Sequence, residues 1–149
     1  MPAWITPLVT DLNDYLVAEQ VTALRDEALA TGQADPFAKI ATDVVAKVRS
    51  FIASNPANRL DSDATTIPPE LKLDVCYLII GPMLGRLGIA LTKDQVQQLD
   101  LAHSTLIALR EKKLLVSQPL NPITPAVQSP VGVEQASAGT RLTTGLDNL

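Results

Sequence analysis

Apolar positions recur at steps of three and four through most of the first 115 residues, and that period predicts helices. The clearest run is Phe37, Ile40, Ala41, Val44, Val45, Val48 and Ile52, set opposite Lys39, Asp43, Lys47 and Ser50. This is the pattern of an amphipathic helix. Asp35 is placed to cap it, Pro36 suits its first position, and it ends near Asn55-Pro56. Upstream, Thr10 is an expected cap for a short helix over "DLNDYL", with Asp11 and Asp14 favoured by the N-terminal dipole. A second helix is expected from about Ala18 to Ala30, with Val21, Leu24 and Ala28 on one face and Gly32 as its stop. Residues 56–67, "PANRLDSDATTI", read as a polar loop. Pro68-Pro69-Glu70 opens a helix that is apolar nearly all round: Leu71, Val75, Leu78, Ile79, Ile80, Met83 and Leu84. Such a helix belongs at the centre of a bundle. Gly81 and Pro82 predict a kink, and Gly81 with Gly85 let another helix approach closely. Thr92-Lys93-Asp94-Gln95 forms a capping box for a last helix. Its expected inward face is Val96, Leu99, Ala102, Leu106 and Leu109, and Arg110, Lys112 and Lys113 complement its C-terminal dipole. No stretch before residue 115 alternates with period two. The fold class is all-α, a small bundle of four to five helices.

The period fails after Leu115. "VSQPLNPITPAVQSPVGVEQASAG" carries four prolines and a single charge, Glu134. Pro119, Pro122 and Pro125 are spaced by threes, the repeat of a polyproline II helix. Leu120, Ile123, Val127, Val131, Val133, Leu142, Leu146 and Leu149 form an intermittent apolar series around them. Three readings follow: a ligand for an SH3-like groove, a disordered tail, or an extended arm lying on a protein surface. Ordering about 30 residues costs on the order of 30–60 kcal/mol, which proline reduces by restricting the unfolded chain. An ordered arm therefore implies extensive apolar burial, partly on its own bundle and partly on another chain. The expected division is a helical body, 1–115, and an extended C-terminal arm, 116–149.

Composition narrows the function classes. The chain has 149 residues, 46% of them hydrophobic but only 3% aromatic, so its core is aliphatic. A net charge of −4 opposes specific nucleic-acid binding, which needs cations for phosphates. The apolar stretch "VCYLIIGPMLG" is too short to span a bilayer, and no secretory signal pattern opens the chain. Synthesis in a cytoplasm is the expectation.

Chemistry is sparse. Cys76 and His103 are the lone cysteine and histidine, so no disulfide and no zinc-ligand set is implied. Cys76 reads as core packing, and His103 as a partly buried histidine with a backbone partner. "GPMLGRLG" lacks the Gly-Lys-Ser/Thr ending of a phosphate loop, and the carboxylates of "DLNDYL" and "LDSDAT" read as solvated caps and turns. No catalytic, metal or cofactor-binding residue is assigned, and the chain reads as a non-enzyme. Trp4, between Pro2 and Pro7, is either a plug sealing the bundle or a contact to a neighbouring subunit.

The stretches "MPAWITP", "LVAEQVTALRDEALATGQADPF", "VVAKVRSFIASNP", "IPPELKLDVCYLIIGPMLGRL" and "LTKDQVQQL" resemble small head-morphogenesis proteins of Mu-like phages and prophages. A small helical body with an extended C-terminal arm is also similar to the head–tail connector (adaptor) proteins of long-tailed bacteriophages. The resemblance implies a virion structural protein at the head–tail interface: a homo-oligomeric ring joining the portal protein to the neck or tail proteins. DNA would pass through such a ring without specific binding. Portal-binding or subunit-binding arm residues are then Pro119, Leu120, Pro122, Ile123, Pro125, Val127, Val131, Val133, Leu142, Leu146 and Leu149. The alternative is a soluble helical binding or regulatory module with a flexible tail.

Overall fold

The computed structural model describes residues 2–26 and 36–124. Among them lie five α-helices: α1 (Val9–Leu12), α2 (Ala18–Asp26), α3 (Pro36–Ala53), α4 (Lys72–Arg86) and α5 (Lys93–Arg110). A 3-10 turn, Pro69–Leu71, leads into α4. The fold is all-α. The expected cap Asp35 and stop Gly32 lie outside the described residues.

Helix α4 is the hub, packed on α1, α3 and α5. Its Val75, Cys76, Ile79, Ile80 and Leu84 are almost wholly buried, as an all-round apolar helix requires. The helix runs on through Pro82. Gly81 does let α5 come close: a Cβ there would sit 3.2 Å from Leu99. Gly85 has open space above it and plays no such part.

Three expectations are corrected on α1 and α5. Helix α1 begins two residues earlier than Thr10 suggests, because the Asp11 carboxylate accepts from the Leu8 N–H at 2.8 Å. Asp11 is pinned in turn by Lys72 at 2.7 Å, a contact that holds its carboxyl below the ordinary pKa. On α5 the first inward side chain is Gln95, whereas Val96 is 44% exposed. His103 is exposed rather than partly buried.

Gln95 turns inward to meet Gln20. Their amides pair reciprocally, at 2.9 and 2.7 Å, with both side chains buried. Each oxygen also accepts the backbone N–H at the head of its own helix, Val17 for α2 and Thr92 for α5. The Gln95 amide further donates to the Tyr15 carbonyl. One amide pair thus closes two helix starts, and every polar atom in it is matched. Either Gln20→Leu or Gln95→Leu should cost about 2 kcal/mol by stranding the other amide. The double variant should cost at least about 1 kcal/mol less than the sum of the singles, as measured by urea unfolding.

Both long C-terminal helices end in the same motif. After α4, the Ile89 N–H reaches the Leu84 carbonyl and the Gly88 N–H reaches Gly85, with Gly88 at φ +67°. After α5, Lys113 reaches Ala108 and Lys112 reaches Leu109. Lys112 occupies the left-handed position at φ +62° where α4 uses glycine. An L side chain costs roughly 1–2 kcal/mol in that conformation.

Beyond Lys113 the chain turns extended and lies back on the body. Val116 and Pro119 are buried, and Asp61 and Pro122 form an antiparallel bridge. The boundary expected after residue 115 therefore falls inside the body's own packing. Residues 114–123 are a strap, and their first partner is this chain. Pro125, Val127, Val131, Val133, Leu142, Leu146 and Leu149 lie outside the described residues.

Candidate functional site at the root of the C-terminal arm

Local chemistry in the loop after α3 sets up the strap's seat. The Asn55 side chain accepts from the Ala57 N–H and turns the chain out of the helix. Asp61 accepts from the Asp63 N–H, and Asp63 accepts from both the N–H and the hydroxyl of Thr65. These are consecutive side-chain turns. The donations of Thr65 hold the Asp63 carboxyl below its ordinary pKa. So folded, the loop presents the main-chain carbonyls of Asp61 and Thr66 inward.

Arg49 of α3 receives both. Its guanidinium donates to the Thr66 carbonyl at 2.8 Å and to the Asp61 carbonyl at 2.6 Å. The Trp4 ring lies over the same guanidinium, 5.6 Å from Cζ to the ring centroid, a cation–π distance. Burial pulls the Arg49 pKa below the ordinary value, while the charges of Asp61 and Asp63 pull it back up. A cation held inside by neutral carbonyls and an aromatic face fixes geometry that a single ion pair would leave looser.

The N-terminal segment closes one side of this seat. Ile5 and Ile67 exchange two backbone hydrogen bonds, at 2.9 and 2.8 Å. That bridge delivers Trp4 onto Arg49, and Trp4 is only 6% exposed. The plug reading of Trp4 matches this placement; a subunit contact has almost none of the indole left to use.

The strap closes the other side. The Trp4 indole N–H donates to the Ser117 carbonyl at 2.9 Å. The buried Asn58 side chain accepts from the Val116 N–H and donates to the Leu114 carbonyl, standing in for a neighbouring strand. Ser117 gives both its N–H and its hydroxyl to the Glu70 carboxylate. Further on, Ser62 donates to the Asn121 carbonyl and Ile123 donates to the Leu60 carbonyl, each at 2.8 Å. The outer face is left apolar: Leu115, Leu120 and Ile123 are 66%, 58% and 49% exposed. Of the expected arm residues, Pro119 thus packs inward, Leu120 and Ile123 face out, and Pro122 pairs with the loop.

A shallow apolar cleft of about 370 Å³ lies elsewhere, between α3, α4 and α5, with Lys47 and His103 among its lining. Cys76 is sealed in the core, its thiol pushed up to about 11 by burial. Among the described residues no three His, Cys, Asp or Glu side chains converge to hold a metal ion, and no helix is long and apolar enough to cross a membrane. What this seat offers is chain positioning: it fixes the path of residues 114–123 across the body.

Sequence reasoning missed Arg49, Asn58 and Glu70. Arg49 carried a signal, since it follows Val45 by four and precedes Ile52 by three, on the buried stripe of α3. Asn58 and Glu70 carried none. No family model, no curated protein and no solved structure matches this chain.

Proposed function

We propose that the protein is a phage virion structural protein, a head–tail connector (adaptor) subunit that forms a ring between portal and neck or tail. In this reading the helical body makes the ring contacts, and the chain beyond the strap docks on the portal or on neighbouring subunits. The observation that carries it is the arm root. An indole and two side-chain clasps, the Asn58 amide and the Glu70 carboxylate, hold an extended segment whose outer face is apolar, on a seat braced by the buried Arg49. A tail that merely trails from a domain has no use for such an anchor, and an exposed apolar row fits a surface that another chain covers. The aliphatic core and acidic balance also suit a scaffold part better than a nucleic-acid grip.

Removing residues 125–149 tests the reading with the strap left in place. The shortened chain should fold as the full one does, while particles made with it accumulate as heads without tails. Normal infectious particles, or absence of the protein from purified particles, would sink the proposal. The latter result, with a monomer in sedimentation, is what a helical regulatory module would give.

A further inference from the structure

We infer that the strap is an exchangeable element: residues 114–123 of one copy seat in the same groove of a second copy, linking the two bodies. The inference stands on the strap and its tether, and does not rest on the connector reading.

The groove takes the strap through its main chain together with the buried Val116 and Pro119 side chains and the Ser117 hydroxyl. The Val116 N–H, the Ser117 carbonyl, the Asn121 carbonyl and the Ile123 N–H each meet a partner on the N-terminal segment or the loop after α3. None of those bonds requires strap and groove to share one chain. A second copy supplies an identical strap, so exchange replaces every contact and creates no unpaired group. What decides between the two arrangements is the tether.

That tether is Glu111, Lys112 and Lys113, and it must reverse sharply to bring the strap home. The reversal forces Lys112 to φ +62°, while the matching turn after α4 is built with Gly88. Strain at Lys112 exists only while the turn is closed. An open tether sending the strap to a neighbour releases it, and short strained hinges favour exchange for this reason. Leu115, next to the hinge, is the most exposed of the strap's apolar residues, at 66%. In an exchanged pair it lies on the crossing segment between two bodies, where it loses water.

A cross-link distinguishes the two arrangements. Asp61 and Pro122 form an antiparallel bridge whose hydrogen bonds flank the pair. In such a pair the Cα atoms are about 4.5 Å apart, within disulfide range. Full-length protein carrying Asp61→Cys and Pro122→Cys is equilibrated at a series of concentrations, oxidised, blocked and run denatured. Cys76 is fully buried and stays out of the reaction. The ratio of linked dimer to linked monomer should rise about tenfold for each tenfold rise in concentration while dimer is the minor species. Adding Lys112→Gly relaxes the closed turn in both chains of a pair and should lower that ratio about a hundredfold, about tenfold for each hinge. Independently, deleting Lys112 and Lys113 from the otherwise unchanged chain leaves the strap unable to fold back, and should give oligomers with the same helical circular dichroism. A bridge that stays within one chain at every concentration overturns the inference. So does a hinge-deleted protein that remains monomeric.

Discussion

Arg49→Ala should lower the unfolding free energy by about 3–4 kcal/mol, among the large losses that follow when a buried hydrogen-bond network is broken. Three contacts vanish together: two hydrogen bonds to the carbonyls of Asp61 and Thr66, and the stack under Trp4. A hydrogen bond to a charged donor is worth roughly 1.5–3 kcal/mol, and orphaning a buried carbonyl carries its own penalty. Water entering from the partly open side of the loop recovers some of this, which keeps the total below the simple sum. Arg49→Lys should restore less than half of the loss, because one ammonium cannot reach two carbonyls and face the indole in one geometry. Urea unfolding of the three proteins at one pH gives the answer. A loss below about 1 kcal/mol for Arg49→Ala would mean the loop and the N-terminal segment hold without it.

The second large effect concerns where the chain can be cut. A chain ending at Thr124 should unfold within about 0.5 kcal/mol of the full-length protein, because it keeps every strap bond to the body described above. A chain ending at Lys113 should lose roughly 3 kcal/mol. Burial of Val116 alone contributes about 1.5–3 kcal/mol, and Trp4 and Asn58 lose their partners. Freed backbone entropy offsets part of that. The result has a clean optical readout, since Trp4 is the chain's single tryptophan. Its emission should move to the red only in the shorter protein. Identical spectra and identical midpoints for the two truncations would show that the strap contributes nothing to the body.

The helices were legible because their apolar stripes are long and their starts are marked. Pro36, the Pro68-Pro69 pair and the Thr92–Gln95 box each sit where a helix or its leading turn begins. The centrality of α4 followed from its lack of a polar face. Two details were wrong for different reasons. Thr10 was read as a cap from its residue type, but Asp11 at the third helical position took over the helix start; Val96 was read from the apolar period, but the side chain that turns inward is its neighbour Gln95, which finds Gln20. The arm root was hidden for a different reason. Its seat is a loop of Asn, Asp, Ser and Thr, a composition that reads as solvated, and its partners are main-chain atoms that a sequence does not display. The strap's own residues carried the opposite signal: proline at steps of three suggested departure from the body, yet Pro119 is packed against it. Of the apolar series, the two described members, Leu120 and Ile123, are exposed.

The bond from the Trp4 indole to the Ser117 carbonyl joins positions 113 residues apart. The N-terminal segment and the strap meet on the loop after α3, so this enclosure of the body waits until the strap has been made. Closing so long a span carries an entropy cost that nearby contacts cannot repay in advance. A nascent chain shorter than the strap exposes both the indole and the guanidinium to water and to other chains. The helices can therefore be in place while the seat is still open, and a neighbour's completed strap is then a competitor for it.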